Sequence, residues 1–418
     1  MARSGRRALL ALILAGTTIR LVWAASTAGV GFDITSYRVA ADALLAHGRG
    51  FYDVVNLNGV VRWPYPPGYL PWTLIAHALG RVIGFRFVVA VPAIAADAAL
   101  AWIVARSLAA RGASEGVVLA AVATVAFGPI FALTSGFHGQ IDSVAILPAV
   151  IAVRLWSRGG GRRALPAGAL IGLAALIKGP AGLVLLALLP TARSRQEAQA
   201  LVASAAAVIG SALAPFVLTS PHSVLDALNF AGMPGEGGLS LVVQPSLAQL
   251  FVGSPLGVHP SSATLFLHSH GVVLLAPLLL AVAVVARRRR VEASRTAILL
   301  FLTMFVFGAA FSPRYAVWLL PFLLLDGRLR AAIALQLALL GPVMAVYAGP
   351  LRSDLLIEAY VLAGIAVWAG LAVWWSRSLI DIVGARAQRL TSSGQPALPA
   401  SSTARTHSRL PVAGTEIA

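Results

Sequence analysis

Residues 87–105, FVVAVPAIAADAALAWIVA, form an apolar run whose single ionisable side chain is Asp97. A run of about 18 or more apolar residues is long enough to cross the hydrocarbon core of a bilayer as a helix. Similar runs recur along the chain, at Ala8–Gly29, Val117–Leu133, Gln199–Leu218, Gly271–Ala286, Ala297–Phe311, Ala331–Ala348 and Glu358–Trp375. The sequence therefore predicts an all-α, polytopic integral membrane protein with about 10 to 13 transmembrane helices.

Composition supports the same fold class. Of the 418 residues, 58% are hydrophobic and 11% are charged, whereas soluble domains carry about 25% charged residues. The net charge of +17 is gathered in short basic tracts at the ends of apolar runs, which is the positive-inside pattern of cytoplasmic loops and not the pattern of a nucleic-acid-binding protein. The tracts are Arg3–Arg7, Arg158–Arg163, Arg193–Arg195, Arg287–Arg290 and Arg328–Arg330. The chain has no cysteine, so disulfides and thiolate metal sites are excluded.

The chain divides into a membrane-embedded domain over residues 1–376 and a polar region over 377–418, which we expect to be a disordered cytoplasmic tail. The N-terminus resembles a signal peptide, but we interpret it as an uncleaved first helix because many spans follow. Two long loops, at about 26–64 and 221–268, are rich in Gly, Pro, Ser and aromatic residues. Long ordered loops are usually functional. The positions of the basic tracts predict that both loops lie on the extracytoplasmic side of the membrane.

The assignment of loops to the two sides of the membrane leaves one conflict. Counting crossings from the two ends gives answers that differ by one, so either Pro66–Gly84 enters the membrane without crossing or Leu165–Pro190 crosses once. The first option keeps the neighbouring arginines inside and is favoured. Gly179-Pro180 then breaks Leu165–Pro190, which fits two short helices in a hairpin with Lys178 at its tip.

Asp33 lies in the first outer loop, just beyond the first apolar run and beside residues 35–47, which are predicted to form an amphipathic helix. A carboxylate at the boundary between water and lipid is placed to deprotonate a sugar hydroxyl. The alternative is that Asp33 caps the helix, with Ser36 three residues later.

The segment SGFHGQIDS (135–143) places His138, Gln140 and Asp142 at the start of a predicted span. These side chains supply the paired donors and acceptors that a sugar needs; the alternative is helix capping with a solvated histidine. His138 and Asp142 have the i, i+4 spacing of metal ligands, but two ligands without a third do not predict a metal site.

Lys178 lies within the apolar run 172–183, where an ammonium group needs an anionic partner or a wet cavity. No acid lies nearby in the sequence, so a lipid phosphate is the expected partner. Arg314 follows a span at its predicted outer end, against the positive-inside bias, which indicates a phosphate clamp or a headgroup anchor. Arg20 and Asp97 lie within predicted helices and form either a polar pathway or a buried packing pair.

Three tryptophans, Trp63, Trp72 and Trp318, are expected to be anchors at the membrane interface. The glycine-rich segment GMPGEGG (232–238) is not a Walker motif, because it lacks the lysine and the helix start that follows it.

These features in this order resemble the polyprenyl-phosphate-sugar-dependent glycosyltransferases of the GT-C superfamily, and in particular the bacterial α-mannosyltransferase-like branch labelled DUF2029 or GT87. The resemblance covers roughly residues 8–350. It rests on Arg20, Asp33 with Tyr37, YPPG (65–68), HGQIDS (138–143), GLAALIKGPAGL (172–183), QPS (244–246) and SPRYAVWLLP (312–321).

The resemblance implies a multi-pass, inverting enzyme of the cell membrane with its active site on the extracytoplasmic face. Its donor would be a polyprenyl-phosphate sugar, with mannose favoured and arabinofuranose close behind, and its acceptor would be linked to a lipid or a glycan. Asp33 would be the catalytic base, without a metal or other cofactor since Ile34 and Thr35 follow it where many members carry a second acid. Lys178 and Arg314 would bind the donor phosphate, and the substrate-binding residues would be Tyr37, Tyr65, His138, Gln140, Asp142 and Gln244.

Two other functions fit parts of the pattern. A polyprenyl-linked sugar flippase or secondary transporter would depend on Arg20, Asp97 and Lys178 more than on Asp33, but the chain lacks the internal repeats of many transporters. A polyprenyl-diphosphate-dependent glycan ligase would use outer arginines and a histidine, for which Arg314 and His138 are available.

Overall fold

The computed structural model describes residues 3–56, 62–230, 232–252, 257–347 and 354–392, and these ranges form helices without any strand. The α-helices are α1 (Arg3–Ser26), α2 (Gly31–His47), α3 (Phe51–Val55), α4 (Leu70–Ile83), α5 (Phe85–Ala110), α6 (Glu115–Ala126), α7 (Pro129–Ala132), α8 (Asp142–Gly159), α9 (Ala164–Ile177), α10 (Val184–Leu188), α11 (Arg195–Val217), α12 (Pro221–Leu228), α13 (Gly238–Val243), α14 (Gln249–Val252), α15 (Ser262–Arg289), α16 (Ala293–Phe307), α17 (Ala316–Leu325), α18 (Leu329–Tyr347) and α19 (Asp354–Ser392).

Within the described ranges, seven helical segments are long and apolar enough to cross a membrane: α1, α5, α6 with its continuation to His138, α11, α15, α18 and α19. This confirms the predicted all-α, polytopic membrane fold. Four shorter apolar helical segments lie at Ala164–Ile177, Gly179–Thr191, Ala293–Phe307 and Pro313–Leu325.

The run around Lys178 is a hairpin. The backbone of Lys178 is extended, with φ −155° and ψ 115°, which ends α9. A Cβ on Gly182 would lie 3.0 Å from Cβ of Ala175, a contact that seven residues of continuous helix would not permit. The return limb reaches Thr191, whose hydroxyl accepts a hydrogen bond of 2.8 Å from Trp156 near the end of α8. Both ends of the hairpin therefore lie beside the same end of α8, with Lys178 at the tip.

The segment before α5 stays at one end of the bundle. The Tyr69 hydroxyl donates to the Val89 carbonyl at 2.9 Å, and Nε1 of Trp72 donates to the Val88 carbonyl at 3.0 Å. The start of α4 therefore lies beside the first turn of α5, and its 14 residues span only about 21 Å. This geometry agrees with the option in which Pro66–Gly84 does not cross.

The basic tracts meet at the opposite end of the bundle. Arg287 at the end of α15 donates to the carbonyls of Pro190 and Ala192, at 2.9 and 2.6 Å. Arg295 at the start of α16 pairs with Asp326 at the end of α17, at 3.1 Å. We call this the basic end; the tip of the hairpin and the start of α8 lie at the other.

Two glycines bring α9 and α11 into close contact. A Cβ on Gly168 would lie 2.2 Å from the Leu201 carbonyl oxygen, and one on Gly172 would lie 2.7 Å from that of Ala205. Small residues four apart allow helix backbones to approach in this way, and the contact anchors the first limb of the hairpin.

The first residues of the predicted disordered tail are helical. Helix α19 continues to Ser392, so the boundary at 377 falls within a helix, because apolar and helix-forming residues alternate well beyond it. Residues 393–418 lie outside the described ranges.

Candidate functional site

The carboxylate of Asp33 binds the ring of His138 at the end of the bundle opposite the basic tracts. Oδ2 of Asp33 accepts a short hydrogen bond from Nε2 of His138, and Nδ1 of His138 lies 2.7 Å from the Tyr347 hydroxyl. A carboxylate only accepts, so Nε2 of His138 carries the proton of this hydrogen bond. The His138 side chain is fully buried whereas that of Asp33 is 16% exposed, which makes the acid the accessible member of the pair.

The helix-cap interpretation of Asp33 is wrong. Helix α2 begins at Gly31, four residues before the predicted start, and its N-cap is Val30. Asp33 lies in the first turn, and its side chain is directed to His138. The solvated-histidine alternative is wrong as well, since His138 is buried between two partners.

A fixed turn holds His138 in place. The residues Leu133–His138 form a π-helical turn that ends at Gly139, where φ is +82°. Nη2 of Arg86 donates to the carbonyls of Gly136 and Phe137, both at 2.6 Å. A side chain on Gly139 would be strained by its backbone and would come within 3.1 Å of the same guanidinium. Sequence reasoning missed Arg86, although it is a basic residue at the outer end of a span.

Gln140 and Tyr37 form a buried pair beside Asp33. The Tyr37 hydroxyl donates to Oε1 of Gln140 at 3.1 Å, and both side chains are buried. Among the described residues, Nε2 of Gln140 is buried and makes no close hydrogen bond, although this amide is near enough to Asp33 to lower the pKa of that carboxyl.

The charge state of Asp33 is set by its neighbours. Burial of Asp33 opposes its ionisation, but the His138 ring, the Arg314 charge and the Gln140 amide outweigh that effect and hold the pKa of Asp33 below its usual range. Asp33 is therefore a carboxylate at neutral pH, able to accept a hydrogen bond or a proton.

Asp142 joins three elements through one oxygen. Its Oδ1 accepts from Nζ of Lys178 at 2.7 Å and from Nε1 of Trp318 at 2.8 Å, while Oδ2 is buried and has no partner among the described residues. The Lys178 ammonium also lies 4.8 Å from the ring of Tyr315 and 5.4 Å from that of Tyr65, within the range of cation–π attraction.

Two expectations about this cluster are corrected. The partner of Lys178 in the fold is a protein carboxylate, because folding brings Asp142 to the hairpin tip from 36 residues away. Trp318 is buried and donates to Asp142, and Trp63 is fully buried. Neither is an interface anchor, since both indole rings pack within the bundle.

Arg314 pairs with an acid that sequence reasoning missed. Nη1 of Arg314 lies 3.3 Å from Oε1 of Glu236, which also accepts a short hydrogen bond from Ser312. The Tyr360 hydroxyl donates to the Glu236 carbonyl at 2.5 Å. Glu236 is buried, and Nε of Arg314 is buried with no hydrogen-bond partner in the part of the chain that the structure describes. The signal was present in GMPGEGG, where a single acid stands among glycines in a long loop.

Tyr65 connects these groups electrostatically. Burial raises the pKa of Tyr65, and the negative charges of Asp33 and Asp142 raise it further. The Lys178 ammonium lies over its ring. The Tyr315 ring lies 4.8 Å from Lys178 and 5.6 Å from Arg314, and Tyr347, the partner of His138, lines one pocket with Arg314 and Glu236. These contacts bring the pairs Asp33–His138, Asp142–Lys178 and Glu236–Arg314 into one candidate site.

Gln244 forms its hydrogen bonds with another part of the chain, residues 259–264. Its Nε2 donates to the His259 carbonyl at 2.9 Å, and its Oε1 accepts from the Ser261 amide at 2.7 Å and from the Thr264 hydroxyl at 3.0 Å. These hydrogen bonds tie the end of α13 to the start of α15.

Arg20 and Asp97 form a buried pair that supports the site from behind. Asp97 accepts from Arg20 at 3.0 Å, from Ser135 at 2.6 Å and from Ser143 at 2.5 Å. Arg20 further donates to the Val125 carbonyl at 2.8 Å. The pair thus holds both ends of the 135–143 segment, in agreement with the packing alternative.

A metal centre has little to bind to here. Among the residues that the structure describes, no three or more His, Cys, Asp or Glu side chains come together as a metal-binding group. His138 and Asp142 have different partners, because the ring is directed to Asp33 and the carboxylate to Lys178.

Comparison with known families gives one match. The sequence model described as glycosyltransferase family 87 matches residues 63–313, which include His138, Asp142, Lys178 and Glu236. Asp33 precedes the matched range and Arg314 follows it by one residue. The comparison with curated proteins finds no match.

Proposed function

The chain belongs to glycosyltransferase family 87, and from that premise we propose that it transfers a single sugar from a polyprenyl-phosphate donor to a lipid- or glycan-linked acceptor, with inversion. The observation that carries the proposal is that the Asp33 carboxylate, 16% exposed, lies in the same candidate site as the Arg314 guanidinium, 17% exposed, and the buried Lys178 ammonium. A reaction that removes a proton from a hydroxyl and releases a phosphate needs these charges.

Asp33 is the proposed base. Its Oδ2 is occupied by His138, whose second nitrogen is occupied by Tyr347, so the ring cannot itself take a proton from the acceptor. The other oxygen of Asp33 is available to the acceptor hydroxyl. His138 and Tyr347 are then positioning residues that fix the direction of this carboxylate.

Arg314 is the proposed main contact of the donor phosphate. Its contact with Glu236 joins a single nitrogen to a single oxygen, and its Nε has no partner. A guanidinium with free donors in a fixed plane suits a phosphate. Lys178 contributes charge beside Asp142, with its ammonium 5.4 Å from the centre of the Tyr65 ring.

The proposed step balances without a cofactor. The acceptor oxygen attacks the anomeric carbon while its proton passes to Asp33, and the bond between that carbon and the phosphate oxygen breaks. Polyprenyl phosphate leaves with the bonding electron pair, and Arg314 and Lys178 stabilise its charge. Attack from the face opposite the leaving group inverts the anomeric centre, and Gln140 with Tyr37 provides hydrogen bonds to sugar hydroxyls.

The same proposal places the reaction on the extracytoplasmic face of the cell membrane. The site lies at the end of α8 opposite the basic tracts, and positive-inside bias predicts that the basic end is cytoplasmic. Mannose is the favoured sugar and arabinofuranose the next candidate, both from the family resemblance. Gln244 is retained as a candidate contact of the substrate from the 221–268 loop.

The test is sugar transfer by the purified full chain from synthetic polyprenyl-phosphate mannose and polyprenyl-phosphate arabinofuranose, with a crude lipid extract as acceptor. Asp33→Asn keeps the acceptor atom for His138 but removes the base, so turnover should fall by about 100-fold or more. Asp42→Asn is the matched control, because Asp42 lies on the same helix with its side chain 55% exposed.

Equal turnover in Asp33→Asn and Asp42→Asn would refute Asp33 as the base. Transport of the donor without any transfer, dependent on Arg20 and Asp97, would instead favour the flippase. Transfer only from a polyprenyl-diphosphate glycan would favour the ligase.

A further inference from the structure

A cavity of about 420 Å³ lies at the basic end of the bundle, lined by residues of α5, α8, α11, α16 and α17 and of the loops beside them. Its volume is in the range of small-molecule sites, about 300–1,000 Å³. Arg158 on its wall and Asp142 in the proposed active site are 16 residues apart on α8 or at its end, which corresponds to about 24 Å. The cavity is thus separate from the site of sugar transfer.

The wall of the cavity is positively charged. Four arginines line it, Arg111, Arg154, Arg158 and Arg193, against two acids, Glu197 and Glu292. The excess charge favours an anionic occupant.

Two of these arginines are fixed by the fold and two are free. Nη1 of Arg154 donates to the Ile103 carbonyl at 3.0 Å, and Arg111 donates to the Leu325 carbonyl. The guanidinium groups of Arg158 and Arg193 make no hydrogen bond to the residues that the structure describes, and both side chains are exposed. The free pair has all of its donors available for a ligand.

The start of α16 supplies a second, independent feature. Its N-cap, Glu292, makes no side-chain hydrogen bond to the first turn, so the amides there are uncapped. Ser294 lines the cavity with only 5% of its surface exposed, and its hydroxyl has no hydrogen-bond partner among the described residues. Uncapped amides at a helix start attract phosphate groups.

We propose that this cavity binds the phosphate of an anionic phospholipid headgroup. The phosphate would lie between Arg158 and Arg193 and the start of α16, with Ser294 donating to it. A lipid is the favoured source because the cavity lies at the level of the basic tracts that flank the apolar helices, where headgroups lie.

The experiment measures binding to the purified full chain and does not depend on its transferase activity. Short-chain phosphatidylglycerol is titrated by native mass spectrometry, with phosphatidylcholine of the same chain length as the zwitterionic reference. The test variant is Arg158→Gln with Arg193→Gln. The control variant, Arg162→Gln with Arg195→Gln, removes the same charge from neighbouring exposed positions that do not line the cavity.

The expected result is tighter binding of phosphatidylglycerol than of phosphatidylcholine, weakened about tenfold or more in the test variant and nearly unchanged in the control. An excess of inorganic phosphate that displaces the lipid would assign the site to free phosphate and overturn the lipid source. Equal affinities in the two double variants, or equal binding of both lipids, would overturn the proposal. Because every substituted arginine is exposed, a folding defect is not expected, and the melting temperature checks this.

Discussion

Nζ of Lys178 lies 2.7 Å from Oδ1 of Asp142, although the two residues are 36 positions apart in the chain. The contact joins the tip of a membrane hairpin to the start of α8. Both side chains are buried, so neither charge is solvated by water. A pair of this kind is held by its geometry, and its loss from one side leaves the other charge uncompensated.

Lys178→Met is therefore expected to destabilise the protein by about 3–5 kcal/mol, since the Asp142 carboxylate would remain buried without its counter-ion. The measurement is the unfolding free energy in detergent for Lys178→Met, Asp142→Asn and the double variant. The double variant should be less destabilised than the sum of the two single variants. Simple additivity would mean that the two groups do not interact.

The acid limb of the pH–activity profile should depend on His138. The folded-state pKa of Asp33 lies below its unfolded value of about 3.9. Its carboxylate therefore contributes stability that is fully present above that unfolded value and is lost only as the pH falls through the lower folded value. Activity that needs the ionised Asp33 should likewise persist until the pH falls through the lowered pKa of Asp33.

His138→Asn removes the charge and the ring that hold the pKa of Asp33 down, while burial, which raises it, remains. The acid limb of kcat/KM should move to higher pH in His138→Asn and stay in place in Asp42→Asn. A loss of activity with no movement of the limb would argue that His138 has only a structural role.

Glu236→Gln should raise KM for the donor by about tenfold and change kcat less. The amide keeps an acceptor for Ser312 but no longer attracts Arg314, so the guanidinium loses the charge that directs it. A loss of this size corresponds to about 1.4 kcal/mol of binding energy. A lower KM would contradict this prediction and would mean that the Glu236 carboxylate competes with the donor phosphate for Arg314.

Asp97→Asn should lower stability more than it lowers the activity of the folded protein. Asp97 accepts three hydrogen bonds behind the site. Removing its negative charge leaves the buried guanidinium of Arg20 without a counter-ion. The checks are a melting curve and the specific activity of the folded fraction at low temperature. Folded protein with no activity would revive the polar-pathway interpretation of Arg20 and Asp97.

Local sequence predicted some of the site and missed the rest for a physical reason. Asp33 and Arg314 were recognisable because an acid beside a first span, or an arginine at an outer end, departs from ordinary membrane patterning. Glu236 is a single acid among glycines in a long loop, and that setting does not by itself reveal its partner, Arg314. Tyr347 gave no signal, since a tyrosine at the end of a span is common at membrane interfaces.

Partners of buried charges were the least predictable feature. Within the sequence, Lys178 has no acid nearby, and Trp318 has the position of an interface anchor. Both are directed to Asp142, because α9 folds back at Lys178 and α17 packs against α8. The chain could not reveal this pairing, since the distance between two side chains across a bundle does not depend on their separation in sequence.

The sequence by itself determined the all-α membrane fold, and it predicted which ionisable residues are candidates for the site. Hydrophobic length and charge bias act on each segment separately, so they can be seen in the chain alone. Only the tertiary structure decided that Asp33 binds His138 and does not cap its helix, and that Glu236 faces Arg314. Those choices depend on which helix ends meet, because a buried charge takes the partner that packing brings within reach.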